Sequence, residues 1–123
     1  MATALGQNPK QVFKTLVTVG KSRQHYVFMI PVAEELDLKK AAAAAGEKSV
    51  EMVKSKELLG LTGYVHGGCS PLGMKKPFPT FADETAADFA TIIFSAGKIG
   101  FQIEAPLAAL EEIVGLKTAR LTV

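Results

Sequence analysis

The segment His66-Gly67-Gly68-Cys69-Ser70-Pro71-Leu72-Gly73 gathers much of the chemical capacity of this chain. Glycines let a backbone turn sharply and bring several amides near one ligand, and proline stiffens the turn, so such a loop can hold a carbonyl or phosphate oxygen. The same glycines would serve equally in a wide turn that holds nothing. The spacing matches neither the Gly-Lys-Ser/Thr phosphate loop nor the dinucleotide fingerprint, which removes ATPase and Rossmann readings. Cys69 beside His66 raises a thiol nucleophile with its base, or the start of a metal site. A nucleophile needs the imidazole within reach and an orienting third group, and a metal needs three or four ligands where the chain offers one cysteine and two histidines. Neither is well supported, so Cys69 reads better as a small apolar loop residue, and no metal or cofactor is expected. Lys14 interrupts an otherwise strand-like run, Phe13-Lys14-Thr15-Leu16-Val17. It is either an edge charge that deters aggregation or an ammonium aimed into a cleft, where it would bind an anion or a developing oxyanion. Ser95, at the end of an apolar run, either terminates a strand or turns a hydroxyl to a substrate. Asp83, Glu84 and Glu104 lack the spacing of a paired acid and base.

These residues need elements to position them. The run 11–19, QVFKTLVTV, is β-branched and aromatic, Gly20-Lys21-Ser22 breaks it, and 25–31, HYVFMIP, resumes it, which predicts a hairpin. Asp37 predicts the cap of a helix from Leu38 through Ala45 that Gly46 stops; its five alanines favour helix and permit close packing on a sheet. A short strand is expected over 48–52, and one helical turn from Ser55 ended by Gly60. Five glycines between Gly60 and Gly73, with Pro71, Pro77 and Pro79 nearby, predict a long structured loop. Residues 89–95 and 100–104 predict a second hairpin around Ala96-Gly97-Lys98. Pro106 opens a helix to Val114 with Gly115 as its stop, and 117–123 is expected to close the sheet. A mixed sheet with helices packed on it follows.

At 123 residues and 48% hydrophobic content, the chain fits one domain with an ordinary core. Its 14 basic and 12 acidic side chains are too evenly matched for a DNA-coating protein. Residues 1–80 carry 11 basic and 6 acidic groups whereas 81–123 carry 3 and 6, so any nucleic-acid contact is expected from the front part. No apolar run approaches a membrane span and no leader pattern precedes the first strand, so a cytoplasmic protein is expected.

The order of several segments resembles one family. Val12-Phe13-Lys14-Thr15-Leu16-Val17 comes first, then Pro31-Val32 with Leu36-Asp37-Leu38-Lys39-Lys40, then Thr62-Gly63-Tyr64 and Gly67-Gly68-Cys69-Ser70-Pro71-Leu72-Gly73, then Ser95-Ala96-Gly97-Lys98 and Gln102-Ile103-Glu104. Together they resemble the YbaK/EbsC family of aminoacyl-tRNA deacylases, and the Gly-Gly-x-Ser-Pro-x-Gly loop looks most like its YbaK branch. The resemblance implies an α+β fold, a mixed, mostly antiparallel β-barrel-like sheet surrounded by short helices, as in the editing domain inserted in bacterial prolyl-tRNA synthetases. It implies release of cysteine from mischarged tRNA(Pro), with the cysteinyl thiol attacking its own ester, and no cofactor. Lys14 would be the pocket lysine and Ser95 the pocket hydroxyl. Gly67, Gly68, Cys69, Ser70, Pro71 and Gly73 would form the wall holding the aminoacyl carbonyl. Aminoacyl-tRNA is the implied partner, with prolyl-tRNA synthetase and a second copy of the chain as further ones. Other readings kept open are a deacylase for a different ester such as Ala-tRNA(Pro), and a module that binds tRNA or nucleotide without turnover. Family members usually carry a helix and a strand with a pocket tyrosine upstream, whereas 13 residues precede Lys14 here, so a single domain over 1–123 with a shortened N-terminus is expected. Gln102 stands where the YbaK branch often has an aspartate, which would bear on substrate choice.

Overall fold

In the computed structural model, residues 10–65, 68–72, 74, 78–98 and 100–123 are described. The β-branched run forms β1 (Phe13–Gly20), which turns back into β2 (His25–Pro31) as an antiparallel hairpin pairing Phe13 with Pro31 and Val19 with His25. At the hairpin's tip Glu47 accepts hydrogen bonds from the Ser22 hydroxyl at 2.5 Å and the Tyr26 phenol at 2.6 Å. These bonds, from Ser22 first and Tyr26 second, hold the Glu47 carboxyl below the usual range, and the bond with Glu47 raises the Tyr26 phenol.

Asp37 caps α1 (Leu38–Ala45), its carboxylate accepting from the Lys39 and Lys40 amides, and Gly46 ends the helix at φ 73°. Ala41 and Ala42 are buried against Tyr26, Phe28, Ile30, Val50 and Leu121, a close approach that larger side chains would block. β3 (Val50–Met52) returns antiparallel along β1, pairing with Thr18 to Gly20. α2 (Ser55–Thr62) runs through Gly60 and stops instead at Gly63, at φ 88°. Gly60 is exposed and costs the helix only about 1 kcal/mol, while Leu58 in the same helix is buried against Val17, Val27 and Cys69, so packing overrides the local stop signal.

β4 (Thr80–Asp83), followed by a 3-10 helix over Glu84–Asp88, was not legible as a strand in the sequence. It lies parallel to β2 and carries β7 (Lys117–Ala119) on its other side, also parallel. β5 (Ile92–Ser95) and β6 (Gln102–Ala105) form the second hairpin, and α3 (Leu107–Val114) follows with Pro106 as its cap and Gly115 as its stop. The strand order is thus β3-β1-β2-β4-β7 in one sheet and β5-β6 in another, linked at one parallel bridge from Val12 to Ile93. The α+β class and the mixed sheet stand, with three antiparallel and two parallel pairings, and the strands form two joined sheets without closing into a barrel. α1 covers one face of the larger sheet. On the other, Phe13 and Met29 pack with Ile92, Phe94 and Leu110, bringing β5 and α3 against β1 and β2. No helix among the described residues is long and apolar enough to cross a membrane.

Candidate functional site

β1 supplies the centre of the site. Strand alternation sends Lys14, Leu16 and Thr18 to the face that α1 covers, and Phe13, Thr15 and Val17 to the opposite face. Lys14 is half-buried, and no carboxylate among the described residues pairs with it. An unneutralised ammonium kept partly out of water favours an anionic or strongly polar ligand oxygen.

The Val12–Ile93 bridge sets β5 beside the start of β1, with the Ile93 amide donating to the Gln11 carbonyl at 3.1 Å. The Gln11 side chain fixes this junction further by donating to the Thr91 carbonyl at 2.9 Å. Two residues beyond the bridge lie Lys14 on one strand and Ser95 on the other, on the same face. The register of this bridge thus sets two sequence-predicted residues, 81 positions apart in the chain, on neighbouring strands at one junction. Ser95 is half-buried and its hydroxyl accepts from the Gly97 amide at 3.2 Å. Gln102 is exposed and stands directly opposite Ser95 in the β5–β6 ladder, placing its amide at the same end of the hairpin.

The glycine-rich loop approaches from the Thr15 side. Gly67 and Gly73, like His66, lie outside the described residues. Gly68, Cys69, Ser70 and Pro71 are buried. The Ser70 hydroxyl accepts from the Leu72 amide at 3.2 Å, and the Gly68 amide donates to the Val65 carbonyl at 3.0 Å. Both bonds serve the loop's own shape. The Cys69 thiol lies among Val17, Val27 and Leu58, where burial pushes it up to about 11 against a smaller opposing pull from its hydrogen bond with Thr62. A thiol held there stays protonated near neutrality, which suits a packing residue and not a nucleophile.

Tyr64, quoted in a sequence motif without a role, ties these parts together. Its phenol donates a short hydrogen bond to the Leu72 carbonyl, and Leu72 packs on the cluster of Phe13, Met29 and Phe94. Its ring also lies against Gly97, where φ is 101° and a Cβ would stand 2.7 Å from Tyr64 Cε1. Gly97 is thus required twice, by its backbone and by its neighbour. The turn after Ser95 and the loop around Leu72 are held at a fixed distance by one aromatic side chain.

A further feature was invisible in the sequence. Hydrogen bonds from the Val32 amide to the Val12 carbonyl and from the Gly20 amide to the Gln24 carbonyl show that even-numbered residues of β1 bond to β2. Odd-numbered residues turn their amides and carbonyls the other way. There β5 takes the Gln11 carbonyl and the Val53 amide takes the Val17 carbonyl at 3.1 Å. Between them, from the Phe13 carbonyl to the Val17 amide, no rung reaches β1 from β3 or β5 among the described residues. This open rim carries Thr15 at its middle and lies where the Lys14 face and the loop face meet. The Thr15 hydroxyl is buried and has no hydrogen-bond partner among the described residues.

Lys14, Ser95 and the open stretch of β1 lie near one strand junction, and the described part of the glycine-rich loop packs on the Phe13 and Val17 face of the same strand. Comparison with known proteins identifies the family. The profile of the aminoacyl-tRNA editing domain matches residues 1–113, and the chain belongs to that family. It is 48% identical over 122 residues to the Enterococcus faecalis protein EbsC, assigned as a Cys-tRNA(Pro)/Cys-tRNA(Cys) deacylase, covering 99% of this chain and 74% of that one. A crystal structure assigned as a trans-editing enzyme for prolyl-tRNA synthetase superposes with a TM-score of 0.87 at 29% identity, over 99% of this chain and 76% of the other. The protein APE2540, at 23% identity, shares the fold with a TM-score of 0.90 over 99% and 81% of the two chains.

Proposed function

We propose that this editing domain acts in trans as a deacylase that releases cysteine from mischarged tRNA(Pro), and accepts Cys-tRNA(Cys) as a further substrate. The observation that carries the reading is the half-buried Lys14 ammonium near the β1–β5 junction, which pairs with no carboxylate among the described residues. The 48% identity to a protein assigned to this reaction supports the cysteinyl substrate.

In this mechanism the cysteinyl thiol of the substrate attacks its own ester carbonyl. A sulfur–carbon bond forms, the ester carbon–oxygen bond breaks, and the thiol proton ends on the ribose oxygen of the released tRNA. The product is a cyclic thiolactone that water opens to cysteine. The chain's part is to hold the ester in an attackable geometry and to stabilise charge on its oxygen, tasks for Lys14 and for the loop wall of Gly67, Gly68, Cys69, Ser70, Pro71 and Gly73. Ser95 donates to the same acyl group or its ribose, and Gln102 flanks the opening as a neutral contact. No nucleophile from the protein is needed, which is consistent with the buried Cys69 thiol.

The test is the lifetime of purified Cys-tRNA(Pro) with the wild-type chain and with Lys14→Ala, each with and without prolyl-tRNA synthetase. Wild type is expected to shorten it, and Lys14→Ala to lose about a hundredfold or more in kcat/KM with Tm little changed. Equal loss of Ala-tRNA(Pro), which has no thiol, would replace the thiol mechanism with direct hydrolysis. Binding of charged tRNA without any turnover would reduce the protein to a binding module.

A further inference from the structure

Thr15 is the residue that the site leaves with the most unmet hydrogen-bonding capacity. Its hydroxyl is the buried side-chain polar atom without a partner among the described residues, in a register position opposite the thioether of Met29. Its strand neighbours on the same face are Phe13 and Val17, whose clusters contain Leu72 and Cys69 of the glycine-rich loop. The Thr15 amide and carbonyl point to the open rim between β5 and β3, where no described residue supplies a rung. Donors and acceptors left unmade in this way are unfavourable, and a bound ligand beside them is one way in which a folded chain completes them. The residue as a whole is only half-buried, so it borders the surface while its hydroxyl turns inward. Lys14 adjoins it, with Ser95 across the junction.

We propose that Thr15 is a substrate-recognition residue of this site, its hydroxyl and rim-facing backbone hydrogen-bonding the aminoacyl group at the tRNA 3′ end. This rests on the deacylase reading for the identity of the ligand. The division of labour follows from chemistry. Lys14 meets the charge that develops on the ester oxygen, whereas a neutral hydroxyl flanked by a backbone amide and carbonyl can both donate and accept, as the amino and carbonyl groups of an aminoacyl ester require. A hydroxyl placed for this purpose discriminates strongly, because the wrong ligand leaves it unmatched.

The experiment compares Thr15→Val and Thr15→Ser with wild type, reading Tm, kcat/KM on Cys-tRNA(Pro), and affinity for the unreactive analogue 3′-cysteinylamido-3′-deoxyadenosine. Valine keeps the shape and strand preference but removes the unmatched hydroxyl, so Tm is expected to hold or rise while kcat/KM and analogue affinity each fall about tenfold. Serine restores the hydroxyl and is expected to stay within about threefold of wild type in both. A valine variant that is as active as wild type overturns the proposal, and so does one that loses Tm along with activity, since that marks a structural hydroxyl. If the wild type leaves Cys-tRNA(Pro) intact, the deacylase reading fails first and analogue affinity decides for Thr15. A tenfold loss in valine then supports recognition, while equal affinity or no binding to wild type overturns it.

Discussion

Under the proposed function, single residues of this site divide into those that would touch the substrate and those that hold others in place. Tyr64 belongs to the second kind, through its phenol on the Leu72 carbonyl and its ring on Gly97. Tyr64→Phe keeps the ring against Gly97 and removes the tether, so Tm should drop by a few degrees, in line with about 1 kcal/mol for one hydrogen bond, while kcat/KM falls about fivefold or more. Unchanged kinetics would mean that the loop keeps its place unaided. Lys14, Ser95 and the loop stand out as candidates in the sequence, each with a structural reading beside the functional one, because charge inside a strand, a hydroxyl at a strand end and clustered glycines are local signals. Thr15 and Tyr64 do not, since threonine is an ordinary strand residue and tyrosine an ordinary core residue. What singles them out is an absent hydrogen bond in one case and a contact across 33 positions in the other.

At the level of elements, legibility followed the range of the causes. The first hairpin and α1 were fixed by neighbours in sequence, through β-branched runs, an Asp cap and a glycine stop, and the structure places them almost residue for residue. β4 and the true end of α2 depend on long-range partners, β2 and β7 for the strand and the Val17–Cys69 cluster for the helix, so local propensity missed them. The tip of the first hairpin also has a pH response of known sign. Glu47 titrates below its ordinary value when folded, so its bonds to Ser22 and Tyr26 stabilise the fold at pH above the usual carboxylate range and lose that effect as pH falls through the lowered value. Glu47→Gln should therefore have a lower Tm than wild type at pH 7, and the gap should close in acid. A gap that persists at pH 2 would show that the carboxylate charge is not its source.

For the whole molecule, the first strand, with Val12 just before it, is the common member of otherwise separate cores. Val12 packs with Ile93, Phe13 joins the α3 cluster, Leu16 the α1 cluster and Val17 the α2 cluster. Exchange of the Lys14, Leu16 and Thr18 amides, which bond to β2, should accordingly need unfolding of the entire chain, whereas the Thr15 amide should exchange by local fluctuation at a much lower cost. Amide exchange followed by NMR would show this alternation, and uniform protection from Phe13 to Thr18 would contradict it. The unlaced stretch has one more effect. A bare strand margin is a template onto which any passing polypeptide can stitch itself, and a positive charge set midway along it is a common deterrent. Lys14 adjoins the middle of that margin, so under the proposed function one amine would both keep foreign backbone away and meet the negative charge that forms on a bound ester.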